Sequence, residues 1–268
     1  AIPFNKGRRP YEGIAFQFSH HIIYDDGAVE HKGEFINAQQ GHFPNYDFIR
    51  ALKAEFDCDR GSVFRYAMHE NTYLNMILTQ IEEDKSFIPD REGLTNFIKS
   101  ITSLKDDKNS YIRRGERDMI DLLEVVKKYY YHPLMKGSNS IKVVLPAVME
   151  SEFIQQKYSK PIYGGKGPVK SLNFKDQVWV QKDSSGKIIS PYKLLPPLFE
   201  GIDVEELDSF LTDESLADGG AAMTAYARMQ FTEMTQLERE RIIAGLLRYC
   251  ELDTLAMVMI YEYFRSET

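Results

Sequence analysis

Apolar positions change their period several times along the chain, and each change marks an element. From Ile14 to Tyr24, aromatic and β-branched residues crowd together as they do in a strand. Asp25-Asp26-Gly27 then supplies a turn, and Val29 to Ile36 reads as the returning strand of a hairpin. Phe48, Ile49, Leu52 and Phe56 take up one face of a helix over 46–56. A short apolar strand over 61–67 runs directly into a helical pattern over 69–78. Residues 85–115 are polar and charged apart from one amphipathic stretch, 94–101. A further short strand over 119–123 leads into a helix expected to end near Tyr131-His132-Pro133. The longest pattern closes the chain. It opens with Thr235-Gln236-Leu237-Glu238, the form of a capping box, and carries Leu246, Tyr249, Asp253, Ala256 and Ile260 at spacings of three and four.

Strands alternating with helices predict an α/β fold, with a mixed sheet of four or five strands flanked by helices. From 151 to 217 the pattern loosens. Tyr163-Gly164-Gly165-Lys166-Gly167-Pro168 is a glycine-rich turn without the spacing of a P-loop, 177–189 reads as a hairpin with a Ser-Gly turn, and 191–197 is a proline-rich connector. This stretch is expected to be an insertion at one edge of a single domain covering 1–268, ahead of a helix of small residues that begins near 218.

Composition narrows the function classes. The chain has 268 residues, 43% of them hydrophobic, which is enough for one large core. A net charge of −7 argues against broad, non-specific nucleic-acid binding but allows a local basic groove. Cys58 and Cys250 have no metal-ligand spacing and make no disulfide framework, which points to a cytoplasmic setting. No apolar run approaches the roughly 18 residues of a membrane span.

Among candidate functional residues, Asp253 stands out because it shares a helix face with apolar residues. A carboxylate there is costly unless a cation, a metal or a donor meets it. Tyr249 precedes it by one turn. Glu70 is the acid available where the 61–67 strand enters its helix, although the helix macrodipole alone favours an acid in that first turn. Lys136, Ser138 and Lys142 surround a helix start able to hold a phosphate, or they form a capped helix with solvated lysines. Tyr129, Tyr130 and Tyr131 are either base-stacking rings or packing aromatics. Adjacent His20 and His21 point to opposite faces of a strand, so at most one of them can join a site with His31.

Several blocks together resemble one family. They are Gly7-Arg8-Arg9-Pro10-Tyr11-Glu12 with Phe16-Gln17-Phe18-Ser19, Tyr130-Tyr131-His132-Pro133 with Gly137-Ser138-Asn139-Ser140-Ile141-Lys142, Asp218-Gly219-Gly220-Ala221-Ala222, and Tyr249-Cys250-Glu251-Leu252-Asp253-Thr254-Leu255-Ala256-Met257. The resemblance is to a bacterial domain-of-unknown-function family placed among ribonuclease-H-like, DEDD-type exonucleases. It implies a ribonuclease-H-like sheet and a Mg²⁺- or Mn²⁺-dependent nuclease, of 3′–5′ exonuclease type, acting on DNA or RNA. It also implies Glu70 and Asp253 as metal ligands in the catalytic set and Tyr249 as the group that orients water. An upstream nuclease-like domain in the full-length protein is expected as well. Relatives carry an Asp-Phe-Glu-Thr-like strand just before the segment aligned with Ala1. The 268 residues lack that first acidic motif, so the chain is expected to be an excised piece with little or no activity. The rival expectations are a non-catalytic module that binds nucleic acid or protein on the same fold, and a phosphoesterase acting on small nucleotides.

Overall fold

The computed structural model describes Asn5 and residues 8–9, 12–196 and 220–267. Its first feature is a hairpin of β1 (Gln17–Ile23) and β2 (Val29–Ile36), joined through a turn in which Gly27 has φ +84°. That left-handed geometry suits a residue without Cβ, and the Asp26 carboxylate accepts from the Ala28 backbone N–H to close the turn. The register slips between His20 and His21, so that His21 pairs with His31 while His20 pairs with Gly33.

Three helices follow: α1 (Asn45–Phe56), α2 (His69–Glu83) and α3 (Arg91–Ile101). Their apolar faces meet Phe18 of the hairpin in one cluster containing Ile49, Ile77, Leu94 and Ile98. Between α1 and α2 lies β3 (Phe64–Arg65), which pairs in parallel with β6 (Ile120–Asp121). Asp121 caps α4 (Leu122–Tyr129) by accepting from the Leu123 N–H at 3.0 Å. Next come α5 (Ile141–Val148), α6 (Glu152–Tyr158), α7 (Gly220–Phe231) and α8 (Gln236–Ser266). The capping box expected at Thr235 and Glu238 is present, with both reciprocal bonds made.

The result is a mixed α/β fold, with a sheet arrangement that differs from the expected one. Among the described residues there are three two-stranded sheets, β1–β2, β3–β6 and a hairpin of β4 (Ser103–Lys105) and β5 (Tyr111–Arg114), not one sheet of four or five strands. Two-residue strands such as β3 and β6 are too short to propagate a ladder. The β4–β5 hairpin escaped the periodicity because it buries almost nothing: Leu104, Tyr111 and Ile112 are all exposed.

Of the expected insertion over 151–217, residues 197–217 lie outside the described residues, and residues 151–196 contribute to the core. Ile154, Tyr158, Tyr163 and Trp179 are completely or almost completely buried, in the same apolar cluster as Val144, Leu252, Leu255 and Met259. Each such side chain contributes about 1.5–3 kcal/mol of burial, so this stretch is part of what holds α8 in place. Within the described residues, no helix is long and apolar enough to cross a membrane.

Candidate active site

Glu251 and Asp253 lie two residues apart on α8, which turns them about 200° from one another around the helix axis. One therefore faces the hairpin and the other a groove.

Glu251 is completely buried. Its Oε1 lies 3.1 Å from His31 Nδ1 and 2.6 Å from the Tyr163 hydroxyl. His31 Nε2 reaches Ser19 Oγ at 2.8 Å, which reaches Thr254 Oγ1 at 3.1 Å. Thr254 meets His21 Nδ1 at 2.8 Å, and His21 Nε2 meets the Tyr163 hydroxyl at 2.8 Å. These contacts close a ring. A carboxylate has no proton to give, so the Tyr163 hydroxyl donates to Glu251, as does that of Ser171. Burial by itself would raise the Glu251 carboxyl. The bond and charge from His31, with Ser171 and Tyr163 as further donors, outweigh it and hold the group at about 2. Burial, then the neighbouring His31, press His21 down to about 3.

Asn173 Nδ2 bridges the two nearby carboxylates, donating to Glu34 at 2.5 Å and to Glu251 at 2.9 Å. His31, Glu34 and Glu251 offer three ligand atoms within 4.8 Å of one another, but protein donors already serve both acids. This is a satisfied polar knot. It ties residues 163–173 to the hairpin and to α8. Of the three histidines, it is His21 and not His20 that stacks on His31, with ring centroids 4.9 Å apart.

Asp253 faces the other way. The Tyr192 hydroxyl donates to its Oδ1 at 2.7 Å, and the Tyr192 ring lies 5.7 Å from that of Tyr249. Lys142 Nζ sits 5.6 Å from the Tyr249 ring and 5.8 Å from the Tyr192 ring. Glu70, in the first turn of α2, belongs to the same neighbourhood. Its surface is open to water, yet protein atoms surround it densely, and that desolvation is the main reason its carboxyl is raised to about 7. Its own backbone N–H and Arg65 work against the rise, while the charges of Asp121 and Asp253 add to it. Asp253, Tyr192, Tyr249 and Lys142 thus lie together, and Glu70 is near enough to Asp253 to feel its charge. Asp121 is fixed by Arg65 at 3.2 Å and by the Ala67 N–H at 2.9 Å. Cys250 feels both sides of the helix: burial first, then Asp253, Glu34, Glu70 and Glu251, push its thiol up.

The remaining sequence candidates lie along one approach to this groove. Lys136 is exposed in a left-handed turn, and Ser138 is half-buried with its hydroxyl accepting from the Ser140 N–H. Asn139 offers its carbonyl to the Tyr66 hydroxyl at 2.6 Å. Sequence reasoning missed Tyr192, which sits in what reads as a plain proline connector, and it missed Asp121. An Asp immediately before the apolar run Leu122-Leu123 is an N-cap signal that could have found the latter. Two surface cavities, one beside Gln155 and Val180 and one beside Phe153 and Tyr261, contain none of these acids.

Among the described residues, His31, Glu34 and Glu251 are the acids and histidine whose ligand atoms lie within 4.8 Å of one another; Glu70, Asp121 and Asp253 do not form such a group.

Comparison with known proteins places the chain without naming an activity. No curated protein and no solved structure matches it. A family model described only as a domain of unknown function, DUF2779, matches residues 1–140, which include Glu70, Asp121, Lys136 and Ser138 but not Lys142, Tyr249 or Asp253. With that match covering just over half of its 268 residues, the chain belongs to the domain-of-unknown-function family DUF2779.

Proposed function

We propose that this chain is a metal-dependent, ribonuclease-H-like nuclease, of 3′–5′ exonuclease type, that hydrolyses phosphodiester bonds in DNA or RNA. The observation that carries the reading is Asp253 on α8 with Tyr249 and Lys142 beside it, Glu70 from α2 lying near enough to feel its charge. The hairpin, the following helix and the parallel β3–β6 pair support the fold reading. Among the described residues β3 has a single neighbour, so its other edge is available for a further strand. An acidic strand of the kind the resemblance implies would pair there, next to Glu70.

Glu70 and Asp253 would hold Mg²⁺ or Mn²⁺, which when bound supplies charge neutralisation at the phosphoryl oxygens and a more acidic water. The chain's own residues do the rest. Tyr249 is held in place by packing, with its ring beside Lys142, and orients the attacking water. Lys142 lends positive charge to the phosphate, and Tyr192 fixes the rotamer of Asp253. Lys136 and Ser138 extend the phosphate contacts outward from the groove. Two or three carboxylates do less than a full set of four, so the chain by itself is expected to cleave weakly or not at all. Both thiols, Cys58 and Cys250, are free, which supports a cytoplasmic setting.

The test extends the chain at its N-terminus with an Asp-Phe-Glu-Thr strand and incubates it with Mn²⁺ and labelled single- and double-stranded DNA and RNA. Metal-dependent cleavage is expected in the extended form, and Asp253→Asn should reduce it at least a hundredfold, ~2.7 kcal/mol of transition-state stabilisation. Absence of cleavage from every substrate overturns the enzyme reading. A non-catalytic module binding nucleic acid or protein would then take its place. That second reading draws on the Tyr192 hydroxyl, which already occupies Asp253 Oδ1.

A further inference from the structure

We propose that the surface from the end of α4 to the start of α5 is a docking track for single-stranded nucleic acid, in which Tyr129 and Tyr131 stack on bases while Lys128, Lys136 and Lys142 meet phosphates. This rests on the nuclease reading for what the track delivers to the groove. Binding itself needs neither the metal nor Asp253.

Charge is the first observation. The chain carries a net charge of −7, yet residues 125–149 contain four lysines (127, 128, 136 and 142) and no acid. Lys127 pairs with Glu124 at 3.1 Å and is left out of the argument. Exposure is the second. Tyr129 is 67% and Tyr131 80% exposed, the two most open tyrosines among the described residues. A single exposed ring needs no explanation, but two sharing one side do.

The backbone explains how they come to share it. Tyr130 is extended, with φ −126° and ψ 130°, and it turns inward onto Tyr263 and Phe264 with ring centroids at 5.2 and 6.0 Å. Its two neighbours are thereby turned outward, about 7 Å apart along the chain. That is roughly twice the 3.4 Å rise between stacked bases, room for one base between two rings. Lys128 Nζ lies 5.0 Å from the Tyr129 ring, so a cation flanks the stack. The other end of the track is anchored at the groove, through the Tyr66–Asn139 bond and through Lys142 beside Tyr249.

Rings and lysines together select the ligand. An acidic peptide would satisfy the lysines and leave both rings with nothing to stack on. A duplex presents phosphates but hides its base faces. A single strand offers both at a regular spacing.

The test measures fluorescence anisotropy of labelled oligo(dT) and oligo(U), twenty nucleotides long, with the chain in EDTA, and of a duplex of equal length. Tighter binding of either single strand than of the duplex is expected, by about tenfold or more. Tyr129→Ala and Tyr131→Ala should each weaken it about tenfold, with Tyr131→Trp retaining affinity. Lys128→Gln and Lys136→Gln should each lower the slope of log affinity against log salt by about 0.7. The proposal is overturned if no single strand binds, if the duplex or polyglutamate competes equally well, or if the double tyrosine variant binds as tightly as the parent with an unchanged unfolding midpoint. Tyrosine-dependent binding without cleavage by the extended enzyme would refute the nuclease and keep the track. Cleavage with tyrosine variants that bind normally would do the reverse.

Discussion

Glu251 and Asp253 are two carboxylates on one helix, two residues apart, in opposite circumstances. The first is sealed in a ring of polar groups with the His31 ring against it, and its carboxyl is held at about 2. The second has a tyrosine hydroxyl on one oxygen and contributes to raising Glu70 to about 7. A carboxylate whose partners all come from the fold is spent on holding the fold together. Asp253 instead adds, as the smallest of several causes, to the rise that burial gives the Glu70 carboxyl.

Three measurements press on this contrast. Acid titration is the largest effect. His21 is held at about 3 against an ordinary 6.5, so the unfolded chain takes a proton that the folded chain refuses. Its contribution is complete above pH 6.5 and is lost as pH falls from there to 3. Glu251, at about 2 against 4.5, extends the loss from 4.5 downward. Together the two should cost on the order of 8 kcal/mol at full shift, read from urea midpoints. His21→Asn should flatten the upper part of the curve, and an unchanged curve would show that the ring is looser than it looks.

Substitution is the next largest effect. Glu251→Ala leaves His31 buried opposite nothing, so urea unfolding should show a loss of about 3–5 kcal/mol. Asp253→Ala should cost less than ~1 kcal/mol, because its bond to Tyr192 is made at a half-buried position where water can replace it. Equal losses would erase the distinction.

The smallest effect has the opposite sign. Glu70 is raised, so its contribution to stability is fully present below pH 4.5 and fades as pH rises through 7. In EDTA at pH 8, Glu70→Gln should therefore stabilise the chain by about 1 kcal/mol, a figure reduced for solvent screening. At pH 4.5 the gain should vanish. Destabilisation at pH 8 would mean that the groove is not short of positive charge.

Much of one side of this contrast was legible in the sequence. Thr235-x-x-Glu238 located the start of α8, and the three-and-four spacing through Leu246, Tyr249, Asp253, Ala256 and Ile260 put an acid on an apolar face. Local periodicity carries that information because a helix repeats every few residues. Glu251 carried no such mark. Its importance comes from Tyr163, Ser171 and Asn173, which lie in aperiodic chain some 80 residues away, and no local pattern announces so distant a partner. Tyr192 was hidden for the same reason. The sheet was over-read because short apolar runs such as 61–67 and 119–123 look like full strands, whereas only two residues of each pair.

The Ser19–Thr254 contact also bears on how the molecule is made. Its ends are 235 residues apart, and closing a flexible loop of that length costs about 5 kcal/mol of chain entropy. On a ribosome adding 5–20 residues per second, the hairpin waits roughly ten to fifty seconds for the helix that covers it. Until α8 arrives His31 has no Glu251 against it, and the hairpin's partners are limited to earlier segments such as the backbone at Lys170. The nascent protein is thus most vulnerable just before α8 emerges, when an arrested product would present a sticky face to its neighbours.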